Sequence, residues 1–510
     1  MANNQYQHIP QEKFAFAQLD AELKDKKLET KARGYMADAL LRFKKNKSSV
    51  VAAYIIMLLI LFSIVSPVLS PYHVKHMDKM YTNTPPFVRE IAEKGWGFLD
   101  GGVTRDSQND ASMDYWRGIA EETGMNPVIK VVSDTVKTVK QRGKTTETHT
   151  YVLKNNKYYE IGNMYLTLSY DEFDRIQAWQ NEHGLQVIYP WVEPKDIKDI
   201  TNNPNIWYQV KSAKGEANKD ADGNFIPAYS TNKTIEGREY NSLRIEGDDG
   251  SYIYSVRKSG AVQCRINYYN YYTYVNGLEP TYIFGTNAKG QDLFCAIGMG
   301  ARFSLVFAVL VSAINLSIGA VYGAIQGYYG GAIDLTMDRI SDILSGIPFV
   351  VATTLFQLHL AQKVGTIPSF LFAFVLTGWI GMSALTRKQF YRFKGQEYVL
   401  AARTLGASDW RLMFRHIFPN SLGTIVTSCA LVIPGVISSE TSMTYLGIVN
   451  LSELVGTSIG ELMSQGQTAM TSSPHAMLFP ALFFSLLMIS FNLFGNGLRD
   501  AFNPTTRGED

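Results

Sequence analysis

Cysteine is nearly absent from this chain. Three in 510 residues, Cys264, Cys295 and Cys429, are too few and too scattered for a disulfide scaffold or a thiolate zinc site. If Cys264 and Cys295 share one face they can pair; otherwise they are free thiols. The eight histidines are dispersed with no His-Glu-x-x-His arrangement, and no Gly-x-Ser-x-Gly elbow is present, so neither a zinc hydrolase nor a serine hydrolase is indicated. A nucleotide site is missing as well. RGKTT at 142–146 supplies Gly143, Lys144 and Thr145, but a phosphate-binding loop needs a glycine five residues before Gly143, where Thr138 stands. That stretch reads as a surface turn. An excess of either charge is also lacking: 48 Lys and Arg stand against 46 Asp and Glu, for a net charge of +2. With no basic run interleaved with aromatics, nucleic acid is excluded as a partner. No internal repeat has a fixed period.

The mean hydropathy of -0.07 resembles that of a soluble protein, but the average conceals a segregation. Residues 48–74, 303–333, 343–362, 364–386, 416–439 and 462–498 contain no Asp, Glu, Lys or Arg. Roughly 20 apolar residues cross about 30 Å of hydrocarbon, so six membrane spans are expected and a soluble enzyme is excluded. The first run follows a long polar stretch and ends in SPVLSPYHV, without a small-x-small cleavage pattern. It is expected to remain as a span rather than be removed as a signal peptide.

Charge asymmetry orients the spans. Arg42, Lys44, Lys45 and Lys47 precede the first run, and juxtamembrane cations stay in the cytoplasm, so the N-terminus is expected inside. Alternation then places 387–415 inside, where Arg387, Lys388, Arg392, Lys394, Arg403, Arg411 and Arg415 face only Glu397 and Asp409. The stretch 445–477 has no Lys or Arg, carries Glu453 and Glu461, and falls outside. In 334–342, Arg339 stands among Asp334, Asp338 and Asp342, so its inside placement rests on alternation alone.

Residues 75–302 hold 27 Lys and Arg, 29 Asp and Glu, and 19 of the 29 tyrosines. More than two hundred residues can bury a core of their own, so an inserted α+β extracytoplasmic domain is expected over 75–282. NPVIKVVSDTVKTVK and THTYVLKNNKYYEIGNMYLTLSY, rich in Val, Thr and Tyr, predict strands. DEFDRIQAWQNEHG predicts a helix with Phe173, Ile176 and Trp179 on one face and Gly184 as its stop. KGEANKDADGN (214–224) and EGDDGS (246–251) read as loops. YYNYYTY at 268–274 reads as a half-buried strand, with a docking surface as the alternative.

The informative cytoplasmic stretch is EYVLAARTLGASDWRLMFRHIFPN at 397–420. Ala401 and Ala402 place small residues on a short helix, Gly406 falls where a helix ends in a left-handed residue, and Ser408 is placed to cap a second helix with Asp409 in its first turn. Helix, tight turn and helix therefore project between the fourth and fifth spans. This segment resembles the coupling motif of ATP-binding-cassette importer permeases: Ala401, Ala402, Gly406 and Pro419 match, and HIFPN is similar to the peptide-importer form. Leu400 occupies the position where the family has Glu, and Glu397 lies one turn earlier. FGTNAKGQDLF at 284–294 is similar to the signature before the second span of the C-type subunit of oligopeptide, dipeptide and nickel importers, with Asn287 and Gln291 as departures. GARFSL, GYYGG followed by Asp334, SSETSMTYLG and GNGLRDAFNP resemble that subunit in order and spacing. The resemblance covers 40–72 and 283–505 and leaves 75–282 unexplained.

The resemblance implies a type I ABC importer permease-like core, a polytopic α-helical membrane protein. Its parts are a cytoplasmic segment 1–47, a first span 48–74, the domain 75–282, a pre-core amphipathic segment 283–302, a transport core 303–498 and a cytoplasmic tail 499–510. It implies peptide import, no catalytic or metal residues, and no cofactor bound by this chain, with ATP used by partner subunits. The implied partners are a second permease, two cytoplasmic ATPase subunits, an extracytoplasmic peptide-binding protein and membrane lipid. ATPase coupling is assigned to Glu397, Ala401, Ala402, Gly406, Ala407, Ser408, Asp409 and Pro419. Glu440, charged within an apolar stretch, is assigned to the pathway or to helix packing. The alternative is a membrane-anchored sensor or assembly protein whose outer domain is the working part.

Overall fold

The computed structural model describes residues 35–73, 75–141, 144–192, 203–211, 216–226, 233–235, 238–240, 254–451 and 456–502. Residues 1–34, Gly143, the 246–251 loop, Glu453 and the tail after Phe502 lie outside them.

A basic helix α1 (Tyr35–Lys45) leads into α2 (Lys47–Leu69), whose cap Asn46 accepts a hydrogen bond from the Ser49 amide. Ala52, Ile56, Leu59, Ser63 and Ser66 bury one stripe of α2, while Tyr54, Leu58, Leu61 and Val68 stay exposed on the others. That division is a helix with lipid on one side and helices on the other.

The chain then builds a unit of strands and helices. After the single turn α3 (Arg89–Ala92) come β1 (Gly102–Gln108), α4 (Asp110–Thr123), β2 (Val128–Gln141), β3 (Lys144–Asn156), β4 (Asn163–Leu168), α5 (Tyr170–His183) and β5 (Ile188–Tyr189). The hairpin β6 (Lys233–Ile235) and β7 (Arg238–Tyr240), then β8 (Ser255–Lys258), β9 (Ala261–Asn267) and α6 (Tyr268–Asn276), complete it. One antiparallel sheet has the order β1-β3-β2; in the other, β9 pairs with β4, β5 and β8. The predicted α5 is found, with Phe173 and Ile176 buried and Gly184 in the left-handed region.

The tyrosine run is a helix, not a strand. Asn267 caps α6 by accepting from the Asn270 amide, and Gly277 closes it at φ +70°. Tyr268, Tyr269 and Tyr272 then share a face, and Tyr269 and Tyr272 join Tyr72, Tyr81, Phe87, Tyr158 and Tyr282 in an aromatic core. Period-two reasoning fails because the caps, not the β-favouring tyrosines, decide the backbone. Cys264 and Cys295 are each free and buried, Cys264 within β9, where burial pushes its thiol up to about 12.

The rest is helical: α7 (Leu293–Tyr329), α8 (Gly331–Ser345), α9 (Phe349–His359), α10 (Ala361–Val364), α11 (Thr366–Gly378), α12 (Ile380–Phe393), α13 (Glu397–Thr404), α14 (Asp409–Arg411), a π-helical stretch Leu412–Ile417, α15 (Phe418–Tyr445), α16 (Ile459–Thr468) and α17 (His475–Phe502). Among the described residues five helical segments are long and apolar enough to cross a membrane: Lys47–Leu69, Leu293–Tyr329, Thr366–Phe393, Asp409–Tyr445 and His475–Phe502. α8 and α9 pass that test only together and are bent by 73°.

Several predicted boundaries are corrected. The helix that carries the second charge-free run begins at Leu293, not 303, so 293–302 is helical and continuous with it. Its cap is Asp292, which accepts from the Phe294 and Cys295 amides. Arg302, which ends the charge-free run, is accommodated because Pro67 has no N–H to give the Ser63 carbonyl, and Arg302 Nε and Nη2 donate to that oxygen at 3.3 Å. The 343–362 run straddles the break at Gly346 to Pro348, and the 462–498 run divides into α16 and α17. Lack of charge reports composition; caps and prolines set the ends.

Residues 78–87 lie against the loop before α7. Thr84 and Thr286 share a 2.7 Å hydroxyl contact, Phe87 and Tyr282 exchange backbone hydrogen bonds of 2.8 and 2.9 Å, and Ser473 Oγ donates to the Asn83 carbonyl at 2.9 Å.

Candidate functional site

Segment 397–420 starts where α12 ends. Gln396 is extended at φ -72° and ψ 148° and leads into α13. The helix stops at Gly406, where φ is +83°, a value L-residues rarely adopt, and the Ala407 amide returns to the Ala402 carbonyl at 3.1 Å. Ser408 then takes the extended conformation of a cap, φ -65° and ψ 154°, but its side chain makes no capping hydrogen bond. This corrects the expected Ser408 cap: only its carbonyl serves, accepting from the Leu412 amide at 2.9 Å.

The second arm is also not a separate helix. α14 runs through the π-helical stretch into α15, and the Phe418 amide reaches the Met413 carbonyl five residues back. Pro419, in the first turn of α15, has no N–H to continue the ladder at that point. The turn is thus joined directly to the α15 span.

The two faces of the segment differ. Val399, Leu412, Met413 and Ile417 are buried with Ala324, Tyr328 and Phe390 from α7 and α12. On the other side Glu397, Ala401 and Ser408 are exposed, Ala402 and Ala407 half-buried, and Leu405 and Trp410 stand 88% and 64% exposed. Asp409 reaches α7, accepting from the Tyr328 hydroxyl at 2.5 Å. The segment thus has an anchored inner face and an outward tip of small and apolar residues.

Sequence reasoning missed the polar network beside this tip. Arg387 of α12 donates to Asp334 at 2.6 Å and to Asp338 at 2.9 Å, both on α8, and the Tyr391 hydroxyl donates to Asp334 at 2.5 Å. Asp334 and Asp338, which gave no orientation signal, are thus neutralised by the basic stretch that did, while Asp342 pairs with Arg339 of its own helix at 3.0 Å. Their spacing of four on one helix face was the available clue.

Glu440 lies apart from the tip. It is 0% exposed, and its Oε2 accepts from Ser304 Oγ of α7 at 2.6 Å. That is a hydrogen bond between two helices of the kind a packing role uses, while Oε1 is buried without a hydrogen-bond partner among the described residues. Among the described residues no group of three His, Cys, Asp or Glu is placed to hold a metal.

Two family models match the chain. Residues 299–508 match the binding-protein-dependent transport system inner membrane component, and residues 34–86 match the N-terminal TM domain of oligopeptide transport permease C. The oligopeptide transport system permease protein OppC of Bacillus subtilis is 40% identical over 224 residues, 44% of this chain and 72% of that protein. The dipeptide transport system permease protein DppC of the same organism is 36% identical over 225 residues, 44% of this chain and 69% of its own length. Among solved structures, a chain of the MetNI methionine ABC transporter in inward facing conformations aligns with a TM-score of 0.34 and 14% identity, covering 41% of this chain and 96% of that one.

Proposed function

Because this chain belongs to the family of binding-protein-dependent transport inner membrane components, and its relatives are oligopeptide and dipeptide permeases, we propose that it is a permease subunit of an ATP-driven importer that passes peptides across the cell membrane. The observation that carries this reading is the outward tip of 397–420, packed on α7 and α12 and continuous with α15. A membrane subunit must alternate between two states, and a partner shifts that balance only by binding them unequally. With no phosphate-binding loop of its own, the chain receives that bias from separate ATPase subunits seated on the tip. A second permease completes the pathway and a peptide-binding protein delivers cargo.

The cations of 42–47 and 387–415 support a cytoplasmic tip and α1, and six spans bring both termini to that side. The unit between α2 and α7 is then extracytoplasmic. Its place over the pathway mouth is supported by the contacts of the adjoining Asn83 and Thr84 with Ser473 and Thr286, and there it would meet the binding protein or the sister permease.

The test is purification of the full complex followed by uptake of labelled peptide. Wild type should retain both ATPases, whereas Ala401→Arg, which adds bulk and charge to the tip, and Gly406→Val should stay in the membrane yet lose ATPase recruitment or uptake. Normal uptake by both variants overturns the assignment.

A further inference from the structure

α7 is an uninterrupted helix of 37 residues, on the order of 55 Å long at 1.5 Å per residue. It exceeds the roughly 30 Å of hydrocarbon, so part of it extends beyond the bilayer, and its final turns pack on the coupling segment. Tyr328 lies in the last of these turns with its ring buried among Ala324, Phe390, Val399 and Met413.

Both arms of the coupling turn converge on the Tyr328 hydroxyl. From the second arm, Asp409 Oδ1 accepts its hydrogen bond at 2.5 Å. From the first arm, Arg403 Nη2 donates to the same oxygen at 3.3 Å, and its guanidinium carbon lies 5.7 Å from the ring centroid. Arg403 and Asp409 flank the left-handed Gly406, so the hydroxyl ties the two ends of the turn to one point on α7. Lys394, at the end of α12, donates to the Gly327 carbonyl at 2.9 Å and holds the same turn of α7.

The connection to α15 differs in kind. It passes through a π-helical stretch and Pro419, where the regular ladder is broken and rotation is more easily absorbed. α7 has no such break, and at its other end the Asp292 cap accepts from Ser70 Oγ at 2.6 Å.

We propose that Tyr328 is a positioning residue that latches the coupling turn to α7, so that ATPase closure moves the second span directly and not only the fifth. The proposal rests on the importer reading above and adds to it the element that carries the motion. The Tyr328 ring supplies packing, which phenylalanine retains; the hydroxyl supplies the latch, which phenylalanine lacks.

The experiment compares wild type, Tyr328→Phe, Asp409→Ala and the double variant, each as the full complex in lipid vesicles, and reads peptide transported per ATP hydrolysed. Tyr328→Phe should recruit ATPases and sustain basal hydrolysis as wild type does, while transport per ATP falls on the order of tenfold, within the usual range of coupling between sites. Asp409→Ala, which leaves the hydroxyl no acceptor on the second arm, should also lower transport per ATP, and the double variant should be no worse than the poorer single variant, because both remove one contact. A Tyr328→Phe ratio within about twofold of wild type, a change too small for such coupling, overturns the latch. Additive losses overturn it too, and so does loss of ATPase recruitment in Tyr328→Phe, which makes the hydroxyl a folding element. Wild type without any bound ATPase would instead sink the importer reading itself.

Discussion

At Gly406 the backbone alone demands the residue: φ is +83° and a Cβ there meets nothing within 4 Å. The cost of Gly406→Val is therefore conformational, about 1–2 kcal/mol for a left-handed L-residue, before any clash with a partner. Gly406→Asn should be milder, since Asn tolerates that region, and ATPase co-purification should rank wild type, Asn, then Val. Equal losses would assign the position to partner contact instead of turn geometry. Glu440 is the opposite case, a side chain decided by its neighbours. Glu440→Gln keeps an oxygen able to accept from Ser304, so the complex should assemble normally and uptake should fall only in part. Complete loss of uptake with assembly and hydrolysis intact would move Glu440 into the pathway.

Among elements, α8 and α12 are joined by a cluster in which Asp334 is 6% exposed and depends on Arg387 and Tyr391. Removing the cation strands a nearly buried carboxylate, a loss of roughly 3 kcal/mol. Arg387→Gln should lower the detergent melting temperature of the assembled protein, and Arg387→Lys should fall between, because a single ammonium replaces a fork that reaches both Asp334 and Asp338. An unchanged melting temperature in Arg387→Gln would mean the cluster does not hold these helices together. Small residues serve helix contact elsewhere: a Cβ at Gly298 would collide with Ser66 Oγ and one at Gly497 with Ser49 Oγ, so α2 lies close to both α7 and α17.

Viewed as a whole molecule, the chain leaves and rejoins its helical part at one paired point. Phe87 and Tyr282 exchange both backbone hydrogen bonds, and the N-terminal family match ends at residue 86. Replacing 88–281 with a short Asn-Gly turn should therefore leave the contacts of Asp78 and Thr84 with the 284–292 loop in place. The protein should reach the membrane while peptide uptake falls sharply; full uptake would make the unit a structural addition without a transport role. Sidedness is tested separately in intact cells. An impermeant thiol reagent should label a cysteine at the exposed Asp171 and miss one at the exposed Gly395, and the reverse pattern removes the topology.

Composition and spacing alone were enough for the membrane class, the separate polar unit, the helix ended by Gly184 and the turn at Gly406. These follow from local physics: charge-free length, side-chain periodicity, and a glycine where only glycine is comfortable. The tertiary structure decided what depends on residues distant in sequence. Arg302 sits inside α7 because Pro67 frees a carbonyl on α2, and the tyrosines of α6 are buried because Tyr72, Tyr81 and Tyr282 surround them. Asp334 is neutralised by Arg387, and the two arms of the coupling turn meet on Tyr328. No local pattern names these partners, since residues far apart in sequence come within contact distance only when the helices pack.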